Sequence, residues 1–359
     1  MIGTRVLRDS FAGKRVFVTG HTGFKGSWLC EILRQLGAEL YGYSIAEPED
    51  KRHSYYAFNI ASHLRNAATA LADVRDMARL QAEVDQANPD FLFHLAAQPI
   101  VSLSYRDPHT TFSTNIMGVL NVLEILRGRA ALTTSVIITS DKCYKNKERD
   151  EPYSEDDEMG GDDPYSASKG AAELVFHSYN VSFPQLCKQS GIATVRAGNV
   201  FGGGDWSSNR LIPDCARDLI SKGEVEIRMP SAVRPWTFVV DILFGYLLLA
   251  ANLRADPQHY RGSWNFASGA TRTVQQVTQL FIDSIGIGRL VVNPSAQIGK
   301  EAGLLLIDPS KAERELGWRC AFTVEEALQH TAHWYRLQSE GGDVTRLSET
   351  FIHRHYLAS

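Results

Sequence analysis

A chain of 359 residues with 37 Lys+Arg, 41 Asp+Glu, a net charge of −4 and 44% hydrophobic residues holds material for two lobes, or for one large α/β unit with an appended subdomain. Its mild acidity (pI ≈ 6.3) excludes the basic footprint of nonspecific nucleic-acid binding. The longest apolar run, Ile242 to Ala251, stops short of the ~18 to 20 residues of a membrane span.

After a short polar leader, Arg15 to Thr19 reads as a strand. Gly20-His21-Thr22-Gly23-Phe24-Lys25-Gly26 follows it and opens a helix marked by Trp28, Leu29, Ile32, Leu33 and Leu36, with Gly37 as its stop. Glycines spaced GxxGxxG allow a tight turn, close backbone approach to a pyrophosphate, and close helix–strand packing. An anion there would meet free N–H groups and the positive end of the helix dipole. Lys25 at that end is disfavoured without an anion nearby. Cofactor binding by Gly20, Thr22, Gly23, Phe24, Lys25 and Gly26 is therefore expected.

Further strands are expected at Glu39–Tyr43, Thr69–Ala72, Phe91–Ala96, Ser135–Thr139 and Ile192–Arg196. Helical patterns between them predict right-handed βαβ units, hence a Rossmann-like, doubly wound parallel sheet. Beyond about residue 200 the pattern breaks into loops and shorter elements, read as a smaller α/β lobe over the sheet's carboxyl edge, where such sheets bind ligands. Ser44 stands where an acid would read the ribose of NAD, and no arginine there awaits a 2′-phosphate, so NAD is preferred to NADP. Asp73 is positioned to accept from an adenine amino group with Val74 against the ring, or else is a solvated loop carboxylate. Asn146 to Asp163 is acidic and aperiodic, and reads as a surface loop.

Tyr165 and Lys169 share a helix face at i and i+4. An ordinary phenol titrates near 10, and an adjacent ammonium favours the phenolate, which would make Tyr165 a base toward a sugar hydroxyl. Ser140, at the end of the fifth expected strand, can share the same substrate oxygen. Cysteines 30, 143, 187, 215 and 320 are scattered without a CxxC pair, so neither a disulfide framework nor a metal site is expected, in keeping with a cytoplasmic protein. Nor does a basic start precede an apolar run, so a signal peptide is not expected.

Together the glycine turn, Asp73-Val-Arg-Asp76, His94-Leu-Ala-Ala97, Asn115-Ile-Met-Gly118, the strand-five hydroxyl and YxxxK resemble an extended short-chain dehydrogenase/reductase. Thr139-Ser-Asp-Lys-Cys-Tyr144, Asp163-Pro-Tyr-Ser166, Arg196-Ala-Gly-Asn-Val200, Gly203-Gly-Asp-Trp206, Arg210-Leu-Ile-Pro213 and Arg234-Pro-Trp236 are similar to phrases of the nucleotide-sugar 4,6-dehydratases, above all those acting on CDP-D-glucose. That likeness spans about residues 11 to 335. It implies C4 oxidation with NAD, loss of water across C5 and C6, and hydride return to C6; a 4-epimerase is the nearest alternative. It also implies an acid–base pair, Asp141 and Lys142, beyond Ser140, Tyr165 and Lys169. Lys142 departs from the dTDP-glucose enzymes, which carry glutamate there: it is a base if desolvated, or a cation that stabilises the enolate.

The resemblance further places Leu95, Ala96 and Ala97 against the cofactor, and Asn199, Arg210 and Arg234 on the nucleotide diphosphate. Residues 1–195 are expected to form the NAD-binding domain, with about 232–262 returning to it, and 196–340 mainly the nucleotide-sugar domain; 341–359 is a tail without an assigned role. A homodimer or dimer of dimers is expected, with Val119, Leu120, Val122, Leu123, Leu126, Ala171, Ala172, Val175 and Phe176 available either to that interface or to packing on the sheet.

Overall fold

The computed structural model describes residues 4–227, 229–293 and 304–358. Its centre is a six-stranded, all-parallel sheet in the order β2-β1-β3-β4-β5-β9. The strands are β1 (Arg15–Thr19), β2 (Glu39–Tyr43), β3 (Phe91–His94), β4 (Thr134–Ile138), β5 (Ile192–Ala197) and β9 (Gly262–Phe266). Side chains alternate between the two faces, as the two-residue period of a strand dictates. Val16, Val18, Phe91, Phe93, Val136 and Ile138 enter one hydrophobic core, while Phe17, Leu92 and Ile137 enter a second on the opposite face. Burial on both faces is what an all-parallel sheet requires.

Between β5 and β9 the chain leaves the sheet. β6 (Asn199–Phe201), β8 (Val233–Phe238) and β10 (Thr271–Thr273) form a three-stranded sheet, and β7 (Glu224–Ile227) pairs in parallel with β11 (Arg289–Val292). This region is more helical than expected. Helices Leu211–Lys222, Val239–Ala255, Val274–Ile285 and Val324–Ser339 are all long elements. Helix Val239–Ala255 contacts helix Phe24–Gln35, β4 and β5, and is buried almost all round, so its continuous apolar run shows no single amphipathic face.

One expected strand is absent. Thr69–Ala72 reduces to a single parallel bridge, Ser44 to Leu71, where Ser44 N donates to Ala70 O at 2.8 Å and Ala72 N donates to Ser44 O at 2.7 Å. Two bonds fix the segment beside β2 but do not extend into a ladder. Residues Asn146 to Asp163 form the expected loop, apart from isolated bridges at Tyr153 and Met159.

Of the apolar helix positions left open between a dimer interface and the sheet, most pack on the sheet, while Leu120 and Ala171 are half-buried. Val119, Val122, Leu123, Leu126, Ala172 and Phe176 lie buried in the second core, against the sheet. The residues after 340 form helix Val344–Ile352 and a π-turn, His353–Leu357, that fold back on the body. Phe351 stacks on His330 with ring centroids 3.8 Å apart, and Tyr356 Oη donates to the buried Asp241 at 2.8 Å. Among the described residues no helix is long and apolar enough to cross a membrane, and no cluster of His, Cys, Asp and Glu could hold a metal ion.

Candidate active site

All six central strands end on one edge, and the sequence-predicted residues gather there. The glycine turn follows β1 and leads into helix Phe24–Gln35. Gly20 has φ +75°, and a Cβ on it would stand 2.7 Å from Ala96 N; one on Gly26 would stand 2.0 Å from Gly20 O. The protein's own packing therefore demands glycine at both positions. Gly23 is different: it is exposed, its backbone is ordinary extended chain, and a Cβ would meet only Gly20 O at 3.4 Å. Internal packing does not require glycine there, but close approach of a ligand to the helix N-terminus would. The residues present thus fit a dinucleotide pyrophosphate.

Lys25 supports that fit. Its ammonium is pulled down to about 7, first by burial and then by the positive charges of Arg210 and Lys169. A phosphate anion at this helix N-terminus would favour the charged form again, as Asp141 already does in part. The rest of the cofactor edge is more internal than expected. The Ser44 hydroxyl accepts from Thr22 N at 3.2 Å and lies 3.1 Å from His21 Nδ1, so it is engaged within the protein. Asp73 accepts from Arg75 Nη2 at 2.6 Å and from Arg75 N at 2.9 Å, while Val74 is buried. Leu95 and Ala96 are fixed by β1, with Ala96 N donating to Thr19 Oγ1 at 3.2 Å, and Ala97 is half-buried beside them.

The strand after that edge carries the chemistry. Beyond β4, Ser140 caps a single 3₁₀ turn, Asp141–Cys143, by accepting from Lys142 N at 3.2 Å. The same hydroxyl donates to Asp141 Oδ1 at 2.9 Å and lies within hydrogen-bonding reach of Tyr165. Helix Pro164–Ser182 brings in Tyr165 and Lys169, both buried; Asp163 caps its N-terminus by accepting from Ser166 N. Lys169 Nζ donates to Ile138 O at 3.4 Å.

Electrostatics divide these groups. Burial pushes Tyr165 up to about 12, opposed chiefly by its bond with Ser140, so protein groups alone do not produce the phenolate expected from its lysine neighbour. Burial lowers Lys169 to about 8, opposed by Glu173. Asp141 is raised above the usual carboxylate range by burial, against the pull of Lys142, Ser140 and Arg234. A carboxyl raised in this way is suited to a general acid.

Arg210 precedes helix Leu211–Lys222 and donates to the buried Asp205 at 3.5 Å; its charge is felt at Tyr165 and Lys25. Arg234 lies on β8 near Asp141, opposite Arg272 of β10. Asn199 opens β6 next to Gly198, on which a Cβ would come within 3.5 Å of Asp141 Oδ2. Of the three residues expected to contact a nucleotide diphosphate, Arg210 and Arg234 thus lie within electrostatic reach of Tyr165 and Asp141, and Asn199 is next in sequence to a glycine beside Asp141.

Two groups of site residues were not found by sequence reasoning. Asn115 sits in a π-turn, Ser113–Met117, accepts from Gln98 N at 2.8 Å and donates to Ser168 Oγ at 2.8 Å, thereby tying the loop after β3 to the Tyr165 helix. Its motif was visible as a phrase, but not its partners. Glu173 and Arg196 form a buried ion pair at 2.7 Å below Lys169.

A parallel sheet with a glycine turn after its first strand, and a Ser–Tyr–Lys set at its carboxyl edge, defines a Rossmann-type short-chain dehydrogenase/reductase. The family model described as GDP-mannose 4,6 dehydratase matches residues 17–331, and the chain belongs to that family of nucleotide-sugar dehydratases. It is 38% identical to the CDP-glucose 4,6-dehydratase of Salmonella typhimurium, over 96% of this chain and 97% of that one. Solved structures agree on the fold. An epimerase of Methanothermobacter thermautotrophicus superposes with a TM-score of 0.76 at 23% identity, covering 94% of this chain and 96% of that one. The dTDP-glucose 4,6-dehydratase of Bacillus anthracis, solved in complex with NAD, gives 0.71 at 18%, covering 91% and 98%.

Proposed function

We propose that the chain is a hydro-lyase that dehydrates CDP-D-glucose to CDP-4-keto-6-deoxy-D-glucose. The observation that carries this reading is the pairing of Asp141 and Lys142 with Ser140, Tyr165 and Lys169 in one crevice. Epimerisation at C4 needs a base for the 4-hydroxyl and a cofactor that takes and returns the hydride; elimination of water across C5 and C6 needs an acid–base pair as well. The 38% relative supports the choice of CDP-D-glucose.

NAD bound at the glycine turn would supply a hydride acceptor for C4 and a hydride donor for C6. Gly20, Thr22, Gly23, Phe24, Lys25 and Gly26 would hold its pyrophosphate, and Asp73, Val74, Leu95, Ala96 and Ala97 would line the remainder. Tyr165 takes the proton of the 4-hydroxyl while Ser140 orients that oxygen and Lys169 lends its charge. The resulting ketone acidifies C5. Lys142 faces the C5 side as either base or electrostatic partner of the enolate, and Asp141 donates the proton that lets the 6-hydroxyl leave as water. Asn199, Arg210 and Arg234 hold the diphosphate; an arginine fork is suited to phosphate oxygens. Residues 1–195 with about 232–262 act as the cofactor domain and 196–340 mainly as the sugar-nucleotide domain.

Mass spectrometry of products from CDP-, dTDP-, GDP- and UDP-glucose, each with NAD, tests the reading. Loss of one water from CDP-glucose alone is expected. Conversion of any donor to a C4 isomer of unchanged mass would instead make the chain an epimerase.

The active unit in this reading is a homodimer, formed by the outer face of the helices from 101 to 183. Leu103, Phe112, Met117, Leu174, Val181 and Phe183 are exposed there, and an apolar face of this extent on a water-soluble enzyme calls for a cover. Leu174→Glu is expected to convert a dimer to a monomer in sedimentation velocity. An unchanged sedimentation coefficient would rule this face out.

A further inference from the structure

A buried carboxylate beneath the catalytic lysine is used by none of the steps above. Glu173 lies one helical turn beyond Lys169 and is 2% exposed. Its Oε1 accepts from Thr139 Oγ1 at 2.5 Å, one residue before Ser140. Its Oε2 accepts from Arg196 Nη2 at 2.7 Å and from Thr194 Oγ1 at 2.9 Å, with Ser263 Oγ at 3.2 Å. Strand register explains the cluster. Thr194 and Arg196 are two apart on β5, hence on one face, and pair with Ser263 and Asn265 of β9.

From Arg196 the network continues to the catalytic turn. Arg196 Nη1 donates to Tyr144 Oη at 2.7 Å, and Tyr144 Oη donates to Asn265 Oδ1 at 2.7 Å. Tyr144 immediately follows the Asp141–Cys143 turn. One buried ion pair thus touches the helix of Tyr165 and Lys169, the end of β4 before Ser140, and the far end of the turn bearing Asp141 and Lys142.

Besides Tyr165, four ionisable groups lie within electrostatic reach of Lys169. They are Glu173 on its own helix, Cys143 in the turn after β4, His94 at the end of β3, and Lys25 in the glycine turn. Burial pushes the Cys143 thiol well up and lowers His94 to about 3, so both are neutral near pH 7. Burial also raises the Glu173 carboxyl, but the Arg196 charge and the hydrogen bonds outweigh it and hold it below the usual range. Of the four, Glu173 alone is an anion.

We propose that Glu173, clamped by Arg196, is a positioning residue for the dehydration: it presents the negative charge that faces the Lys169 ammonium, and it ties the Ser140–Lys142 turn to the Tyr165 helix. This rests on the reading of Tyr165 and Lys169 given above. A purely structural ion pair predicts slower turnover and lower stability on mutation, but no change in how the rate depends on pH.

The test compares Glu173→Gln, Glu173→Asp and the parent. Removing the anion lets Lys169 lose its proton at lower pH. The alkaline limb of kcat for CDP-D-glucose is then expected to move down by about one pH unit or more, with KM changed less than about threefold; Glu173→Asp should recover most of the shift. Since Glu173→Gln strands a buried guanidinium, Glu173→Gln/Arg196→Met repeats the comparison without it. Uniformly slower rates with an unmoved limb would overturn the proposal.

Trace acetylation of Lys169 against pH, read by peptide mass spectrometry in the absence of substrate, separates this idea from the functional reading. A labelling midpoint lowered in both Gln-containing variants supports the proposal, and coincident midpoints overturn it. Parent enzyme that leaves CDP-D-glucose unchanged would sink the functional reading instead, and the labelling result would stand by itself.

Discussion

Tyr165→Phe is expected to abolish oxidation at C4, lowering dehydration of CDP-D-glucose by about 10²- to 10⁴-fold, the range typical of a lost general base. Phenylalanine fills the same buried space, so the fold should survive. The loss is one hydrogen bond with Ser140, costing about 0.5–1.5 kcal/mol. Circular dichroism and a melting curve near the parent's, with turnover gone, are the expected pair of results. Near-normal turnover would remove the basis for assigning any role to Lys169 or Ser140. The variant is informative because the phenol is so reluctant to ionise. Burial holds it at about 12, so the hydroxyl acts as a base only where positive charge and a bound sugar oxygen replace the water it has lost.

Asp141→Asn should separate the reaction into its parts. Asparagine keeps the shape and accepts from Ser140 but has no proton to give. Oxidation at C4 is expected to persist while water loss falls about 10²- to 10³-fold. In deuterated water the recovered sugar should carry deuterium at C5 and retain its 6-hydroxyl, detectable by NMR. If C5 exchange also disappears, Asp141 is the C5 base and not the acid. The pH sign follows from the raised carboxyl. The protonated form persists above the usual carboxylate range, and the acid-dependent step weakens as pH rises through the raised value. The same shift means that the charged carboxylate is tolerated less well folded than unfolded, so Asp141→Asn should melt no lower than the parent at alkaline pH.

The cofactor turn and the catalytic set were legible because each is local. GxxGxxG after a strand, YxxxK on a helix and a serine at a strand end are all readable within a few residues, and their convergence follows from a parallel sheet placing every strand end on one edge. Thr69–Ala72 has strand composition, yet it meets only Ser44, just past β2, through one bridge. Nearby apolar positions could not reveal their side. Leu123 and Leu174 both lie on helices beside the sheet, but only the fold shows the first buried and the second exposed. Glu173 was equally opaque. Its spacing from Lys169 is visible, whereas its partners just past β4 and on β5 and β9 lie 21 to 90 residues away.

The placement of β9 bears on when this enzyme becomes competent. Ala193 on β5 pairs with Gly262 on β9, so the chain that forms β6, β8 and helix Val239–Ala255 lies between the sheet's last two strands. Pairings this distant in sequence close slowly. Until they close, Glu173 and Arg196 lack Ser263, and Tyr144 lacks Asn265. The catalytic turn is therefore anchored by a strand that lies more than a hundred residues downstream of it, so damage to β9 reaches the site without touching a substrate-facing residue.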